Sequence, residues 1–263
     1  MKTLFLAWQA AQQRADSVRP SRAWYPIGRL EAATDRRTYR FTYTQGARRA
    51  QQEAGFAPLI AFPDISRIYE DDELFPLFQN RLLNPRRSDY PASLARMALT
   101  PDNADPIEVL GLSEGVRQTD HLQVFPQLQI NHDGRFHSRF FLHGWRHTHP
   151  VSQARLQHLR EGESLRVAIE INNLNNPVAS TAVQLQSTDD QMVLGWAPRY
   201  LVDDLARACS AMPAEVTAQV CKINLPPAPY QQRVLIELSG QFTEAYEPMN
   251  GPDFQPIVTD TSH

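Results

Sequence analysis

The sequence predicts an α+β protein, with a small N-terminal sheet and helices followed by a mainly-β barrel that a helix closes. Near the start, RTYRFTYT alternates Tyr39, Phe41 and Tyr43 with polar residues, the period-two pattern of a half-buried strand. A helix is expected to begin at Asp105-Pro106, because proline suits the first helical position. From residue 129 onward, turn signals separate short apolar runs in close succession, which favours a β meander.

Two strands are predicted to open the chain, KTLFLAW and RAWYPIGRL. The polar stretch between them, Gln9 to Ser21, has a composition that leans towards disorder. RTYRFTYT forms the third strand, and Gln45-Gly46 is expected to break the sheet after it.

Three helices are predicted in the first half. The apolar run LFPLFQNRLL at 74–83 is read as the first, with Asp71 and Asp72 capping its start and favouring its positive dipole end. The second is placed at 90–99. The third starts at Asp105 and leads into a strand that ends in VFP.

The second half is predicted to start with a hairpin that turns at 131–134, because Asp-Gly permits the positive φ of such a turn. A strand to Gly144, a short helical stretch at 152–159 and an amphipathic helix through Leu201, Leu205 and Ala208 are also predicted. Further strands are expected at SLRVAIEI, TAVQLQ, QMVLGWAP, 215–223 and 232–238. The length suits two domains, which we place at 1–128 and 129–246, followed by an irregular tail at 247–263.

Composition excludes several classes of protein. No apolar window is long enough for a membrane span, and the start is a poor signal peptide, so a cytoplasmic protein is expected. Cys209 and Cys221 lack the spacing of a disulfide framework or zinc ribbon. The formal net charge is −3, but residues 1–50 are basic, and six of the eight histidines lie in 131–200.

The first half resembles the N-terminal subdomain of HipA-type toxin kinases. The matching pieces are Ile27-Gly28-Arg29-Leu30, Phe41-Thr42-Tyr43, the run from Phe75 to Leu83 and the run from Asp105 to Gly111. The Gly-rich loop and H-x-D segment of a kinase body are missing from the sequence that follows. The resemblance therefore covers a HipA-N-like α+β domain without the kinase body.

The second half resembles the HIRAN domain, a β-barrel found in bacteria as stand-alone proteins. The matching motifs are Gly144-Trp145-Arg146-His147, the run from Asn176 to Val183, and Gly195-Trp196-Ala197-Pro198-Arg199. The resemblance implies binding of single-stranded DNA or DNA ends, without chemistry. In the central motif, Ala179 and Thr181 replace an acidic and an amide residue, which weakens the expectation of strand-end specificity.

Six residues are candidate nucleic-acid contacts. Proteins that bind single strands stack bases on aromatic side chains and hold phosphates with basic ones. A tryptophan would therefore stack on a base, and arginine and histidine would contact phosphate. The candidates are Trp145, Arg146, His147, Asn176, Trp196 and Arg199. The alternative interpretation is that both tryptophans plug the barrel ends, that the arginines are solvated and that the asparagines shape a loop.

Neither catalysis nor a cofactor is expected. Nucleophile elbows, phosphate loops and HExxH motifs are absent from the sequence, and the acidic pairs are explained by a helix start and a turn. His143, His147 and His149 lack the further ligands that a structural metal site needs. We therefore expect a non-enzymatic bacterial adaptor for single-stranded or end-containing DNA in repair or defence. The rival hypothesis is a protein-interaction module whose HipA-like half docks a separate kinase or regulator.

Overall fold

The computed structural model describes residues 1–10, 23–33, 38–117, 119–171, 181–243 and 246–259. It is an α+β protein with two antiparallel sheets. The chain divides into two compact units. The first contains 1–87, 105–127 and 249–263, and the second contains 88–104 and 128–248.

The sheet of the first unit has five strands in the order β4-β3-β2-β1-β5. Their bounds are β1 Lys2–Gln9, β2 Trp24–Ala32, β3 Tyr39–Tyr43, β4 Tyr69–Asp71 and β5 Leu122–Pro126. The three opening strands and the strand ending in VFP are thus confirmed. The predicted insert at 9–21 lies almost wholly outside the described residues.

Helix α1, Gln45–Ala54, begins where the sequence predicts only a break in the sheet. The break is confirmed, but the helix was not foreseen. Gly46 occupies a close approach, because a Cβ there would overlap the carbonyl oxygen of Pro26. Ala47 and Ala50 are buried against the sheet, and Gly55 ends the helix with a left-handed φ of 70°.

The predicted helix at 74–83 is wrong in length. Helix α2 covers only Pro76–Gln79, and turns continue the chain after it. The predicted capping is also wrong, because Phe75 holds the N-cap position and the Asp71 carboxylate accepts the backbone N–H of Glu73 instead.

The other two predicted helices are confirmed, as α3, Tyr90–Arg96, and α4, Pro106–Ser113, although α3 ends three residues before the predicted end at 99. Pro106 stands in the first turn of α4, and the Asp105 side chain accepts the N–H of Ile107 at 2.9 Å. Helix α3 belongs to the second unit, and α4 to the first.

The described part of the tail, residues 247–259, contains no strand, in line with the predicted irregular tail, and it packs on the first unit. The N–H of Ile257 donates to the carbonyl of Tyr43 at 2.8 Å. The ring of Phe254 lies 5.0 Å from that of Phe5 and 6.5 Å from that of Phe125, both edge-on. The tail therefore covers part of the face of the sheet that carries Phe5.

Replacing Phe254 with alanine is expected to lower the stability of the first unit by about 2 kcal/mol, because both aromatic contacts are lost. Hydrogen exchange of the β1 and β5 amides measures this change within the unit itself. Thr259→Ala, at an exposed position of the same tail, is the control. Equal protection in both variants would show that the tail does not stabilise the sheet.

The second unit contains a six-stranded sheet in the order β6-β11-β10-β7-β8-β9. The strands are β6 Arg135–Phe141, β7 Ser164–Ile171, β8 Thr181–Ser187, β9 Val193–Trp196, β10 Thr217–Ile223 and β11 Val234–Gln241. The predicted turn at 131–134 is confirmed, with Gly134 at a φ of 72°. Helix α5, Pro150–Leu156, confirms the helical stretch predicted at 152–159, but it begins two residues earlier.

This sheet curls into a half-barrel whose two edges meet at one point. β6 and β9 are the edge strands, and His143, just after β6, exchanges two backbone hydrogen bonds of 2.9 Å with Trp196 at the end of β9. Two glycines permit this approach. A Cβ at Gly195 would lie 2.6 Å from the His143 carbonyl oxygen, and one at Gly144 would lie 2.6 Å from the Trp196 ring.

The helix predicted after QMVLGWAP is confirmed as α6, Val202–Ala211, which follows β9 in the chain. Leu205 and Ala208 of this helix are buried. A hydrogen bond of 2.5 Å joins Tyr246 to the buried Asp204 of this helix. Burial, followed by this hydrogen bond, raises the pKa of Tyr246 well above its usual value. The phenol thus stays protonated and serves as the donor.

The longer segment of the second unit starts at Leu128, next to the boundary that the sequence predicts. It also takes in residues 88–104, which the sequence assigns to the first domain. The buried Asn224 shows why this segment belongs there, since its side-chain amide donates to the carbonyl of Arg96 at 2.9 Å.

Candidate nucleic-acid interface

The closure of the half-barrel brings most of the predicted site residues onto two neighbouring turns. Trp145, Arg146 and His147 form a 3-10 helix directly after Gly144. Trp196 ends β9 and pairs with His143, and Arg199 begins the 3-10 helix that leads into α6. Asn176 lies outside the described residues, as does the rest of the central motif up to residue 180.

The backbone of the first turn is held by side chains. Gln153 of α5 donates to the carbonyl oxygens of Arg146 and Thr148, at 3.0 and 2.9 Å. The hydroxyl of Thr148 donates to the carbonyl of Trp145 at 2.7 Å. The Arg146 and His147 side chains themselves are exposed.

Trp196 is half-buried and takes part in the closure. Its indole N–H donates to the Glu170 carboxylate at 2.8 Å, and its six-membered ring covers Gly144. These contacts resemble the barrel-plugging role that the sequence left open for this residue. Arg199, also half-buried, follows Trp196 by three positions.

Trp145 and Arg146 both contact Tyr230, a residue that the sequence interpretation did not select. The Trp145 indole N–H donates to the Tyr230 carbonyl at 3.1 Å, and the two ring centroids are 6.2 Å apart. The guanidinium carbon of Arg146 lies 4.4 Å from the centre of the Tyr230 ring. These distances define a cation–π pair beside an aromatic pair.

A second arginine lies over the same ring. The guanidinium carbon of Arg233 is 5.5 Å from the Tyr230 centroid, and Tyr230 is nevertheless 53% exposed. We call Trp145, Arg146, Tyr230 and Arg233 the Tyr230 cluster. It combines a solvent-facing aromatic surface with two guanidinium groups.

The loop that carries Tyr230 is clamped at its base. The Asn224 side-chain amide donates to the carbonyl oxygens of Arg96 and Gln232, at 2.9 and 2.7 Å. Its backbone N–H also donates to the carbonyl of Arg233 at 2.8 Å. Because Asn224 is buried, these bonds fix where the loop leaves and rejoins the sheet.

A third arginine lies beside the loop that carries the cluster. Arg96, on α3, donates to the side chain of Gln232 at 2.8 Å and so stands beside the loop. Within the described ranges, no carboxylate lies within 4.0 Å of Arg96, Arg146 or Arg233. Three guanidinium groups are therefore available to an anion.

One sequence signal points to this loop. Tyr230 and Arg233 follow the proline-rich stretch PPAP, and an aromatic residue interleaved with arginine in a loop is typical of nucleic-acid contacts. The sequence interpretation treated this segment only as a connection between two strands. Asn224 and Arg96 carry no comparable signal, because their contact joins positions that are 128 residues apart.

Burial raises the pKa of both the Cys209 and the Cys221 thiol, opposite to the shift that an activated nucleophile needs. Among the described residues, no three His, Cys, Asp or Glu side chains are grouped to hold a metal ion. No helix in the described part of the chain is long and apolar enough to span a membrane.

Comparison of this chain with protein-family models, curated proteins and solved structures finds no match.

Proposed function

We propose that this protein is a non-enzymatic adaptor that binds single-stranded DNA, including strand ends, through a HIRAN-like second unit. The observation that carries the proposal is the meeting of Trp145 and Arg146 with Tyr230 and Arg233 on one exposed surface. Single-strand binding requires stacking faces for bases and cations for phosphates, and this surface presents both.

The electrostatic arrangement supports a polyanionic ligand. The whole chain has a net charge of −3, so a general attraction to nucleic acid is not expected. Binding would therefore depend on a local group of arginines, and Arg96, Arg146 and Arg233 form such a group without a described carboxylate partner. The family resemblance adds Arg199 and His147 to the same interface.

Removing both arginines of the resemblance motifs, in an Arg146→Ala, Arg199→Ala double variant, is expected to weaken binding to a single strand. Each lost phosphate contact also reduces the slope of log affinity against log salt by about 0.7, because fewer counterions are released. Fluorescence anisotropy with a strand of about 16 nucleotides at two salt concentrations measures both quantities.

The matched control is Arg160→Ala, at an exposed position of the same unit. Undiminished binding by the double variant would reject these two arginines as contacts. Matched strands with open and blocked 3′ ends test end preference in the same assay, and we expect only a weak preference, because Ala179 and Thr181 replace the acidic and amide residues of the central motif.

A second candidate function is protein binding through the HipA-like first unit, and one observation favours it. The side chain of Ile60 is fully exposed at the tip of a loop. The Tyr43 hydroxyl holds that loop, since it donates to the Phe62 carbonyl and accepts the Leu59 N–H, both at 2.8 Å. An apolar tip on a held loop suits a protein partner. The absence of binding to any nucleic acid at about 50 mM salt would favour this second function.

A further inference from the structure

We infer that the Tyr230 cluster is a stacking subsite for one unpaired base, with phosphates of the same strand held by the arginines beside it. The inference rests on the proposed function and specifies which part of the strand binds to this surface. It depends on Tyr230 and Arg233, which lie outside all three motifs of the family resemblance.

The aromatic face is both fixed and open. Tyr230 receives a hydrogen bond from Trp145 on its backbone and a guanidinium group over its ring, so its position is set before any ligand arrives. The Tyr230 residue as a whole is 53% exposed, so part of it is accessible to a ligand from solvent. An exposed aromatic ring that other side chains hold in place is suited to stack on a base, because little side-chain entropy remains to be lost.

Arg146 and Arg233 contribute a stacking surface as well as positive charge. A guanidinium plane stacks on an aromatic face and equally on a nucleobase. Arg146 lies at 4.4 Å and Arg233 at 5.5 Å from the Tyr230 centroid, so a base that enters beside the ring meets both. No described carboxylate pairs with these two side chains or with Arg96, so their guanidinium groups can bind phosphates of the same strand.

The occupant must be an unpaired base. Bases inside a duplex are already stacked on both faces and present only their edges, so they leave no face for Tyr230. A proline-rich peptide also docks on Trp–Tyr surfaces, but it brings no negative charge for the three arginines. Charge complementarity therefore favours a nucleic-acid strand over such a peptide.

The test uses the full chain and three labelled probes of equal length: a thymidine strand, an abasic strand with the same phosphates, and a blunt duplex. The wild-type protein is expected to bind the thymidine strand about tenfold more tightly than the abasic one, since base–aromatic stacking contributes that factor. Tyr230→Ala abolishes this ratio, and Tyr230→Phe restores it. Arg233→Gln lowers the ratio without abolishing it, because the Tyr230 ring remains, and lowers the salt slope by about 0.7.

Leu225→Ala is the matched control, because Leu225 is 74% exposed on the same loop and is not part of the cluster. Binding of the thymidine strand with an unchanged ratio in Tyr230→Ala, or an equal affinity of the wild-type protein for the thymidine and abasic strands, would overturn the stacking subsite and leave the proposed function standing. No binding of any of the three probes would overturn the proposed function itself. Tyr230-dependent binding of a proline-rich peptide, with none of the nucleic acids, would overturn both.

Discussion

Replacing Arg81 with alanine is expected to lower the free energy of unfolding of the first unit by about 3 kcal/mol. The Arg81 side chain is only 1% exposed, and it donates to the Gly115 carbonyl at 2.6 Å and to the Asp120 carboxylate at 2.5 Å. Its removal leaves the carbonyl without this donor, takes the partner from a carboxylate that is 31% exposed, and opens a cavity beside Val124. Because Arg81 ties the turn after α2 to the connection between α4 and β5, the loss affects both.

Denaturant unfolding, with hydrogen exchange of the β5 amides to localise the effect, measures this change. Arg86→Ala, at an exposed position five residues later, is the control and is expected to change stability by less than about 0.5 kcal/mol. Arg81→Lys keeps the charge but places all its donors on one nitrogen, which cannot reproduce the two separate contacts of the guanidinium. We therefore expect an intermediate loss of stability. Equal stability of the Arg81→Ala and Arg86→Ala variants would contradict the proposed role of these contacts.

Replacing Gly144 with alanine is expected to destabilise the second unit by about 3 kcal/mol. Two costs add. The left-handed backbone, at a φ of 66°, disfavours any L side chain by about 1–2 kcal/mol. The new Cβ would also lie 2.6 Å from the Trp196 ring, and relieving that overlap costs about 1–3 kcal/mol more. Since Trp196 pairs with His143, the variant also loosens the point where the sheet edges meet.

Gly162→Ala separates the two costs. Gly162 has a φ of 82°, but no atom lies within 4 Å of the position that its Cβ would take. This control therefore reports the backbone cost alone, and the difference between the two variants is the cost of the overlap. Denaturant unfolding and Trp196 indole exchange measure that difference. A Gly144→Ala variant no less stable than Gly162→Ala would show that the Trp196 ring yields without cost.

Strands and turns were predictable because their signals are local. The period-two pattern of Tyr39, Phe41 and Tyr43 is confirmed in β3, and the Asp-Gly turn before β6 is confirmed with Gly134 at positive φ. The start of α4 was equally predictable, since Asp105 and Pro106 provide a cap and a first-turn residue that depend on no other part of the chain.

The errors arose where distant packing decides the local structure. Helix α1 forms around Gly46, Ala47 and Ala50, small residues that look like a sheet break until the sheet beneath them is known. Helix α2 stops after four residues although the apolar run continues to Leu83. Phe75 and Phe78 are buried with Phe62 rather than along one helix face, and nothing in the run itself indicates this arrangement.

The candidate site shows the same division. The motifs of the family resemblance selected Trp145, Arg146 and His147, and Trp196 with Arg199, as candidates. Local sequence could not place Tyr230 against Arg146, because that contact depends on the order of strands in the sheet and on the Asn224 clamp.

The sequence alone determined the α+β class, most strand positions, the helix start at Asp105-Pro106 and the Asp-Gly turn before β6. These features follow from backbone preferences and hydrophobic periods within a few residues. The tertiary structure decided which strands form the edges, that these edges meet at His143 and Trp196, and which side chains share the exposed surface around Tyr230. Trp145 and Tyr230 are 85 residues apart in the chain, and only the pairing of whole strands brings them within hydrogen-bonding distance.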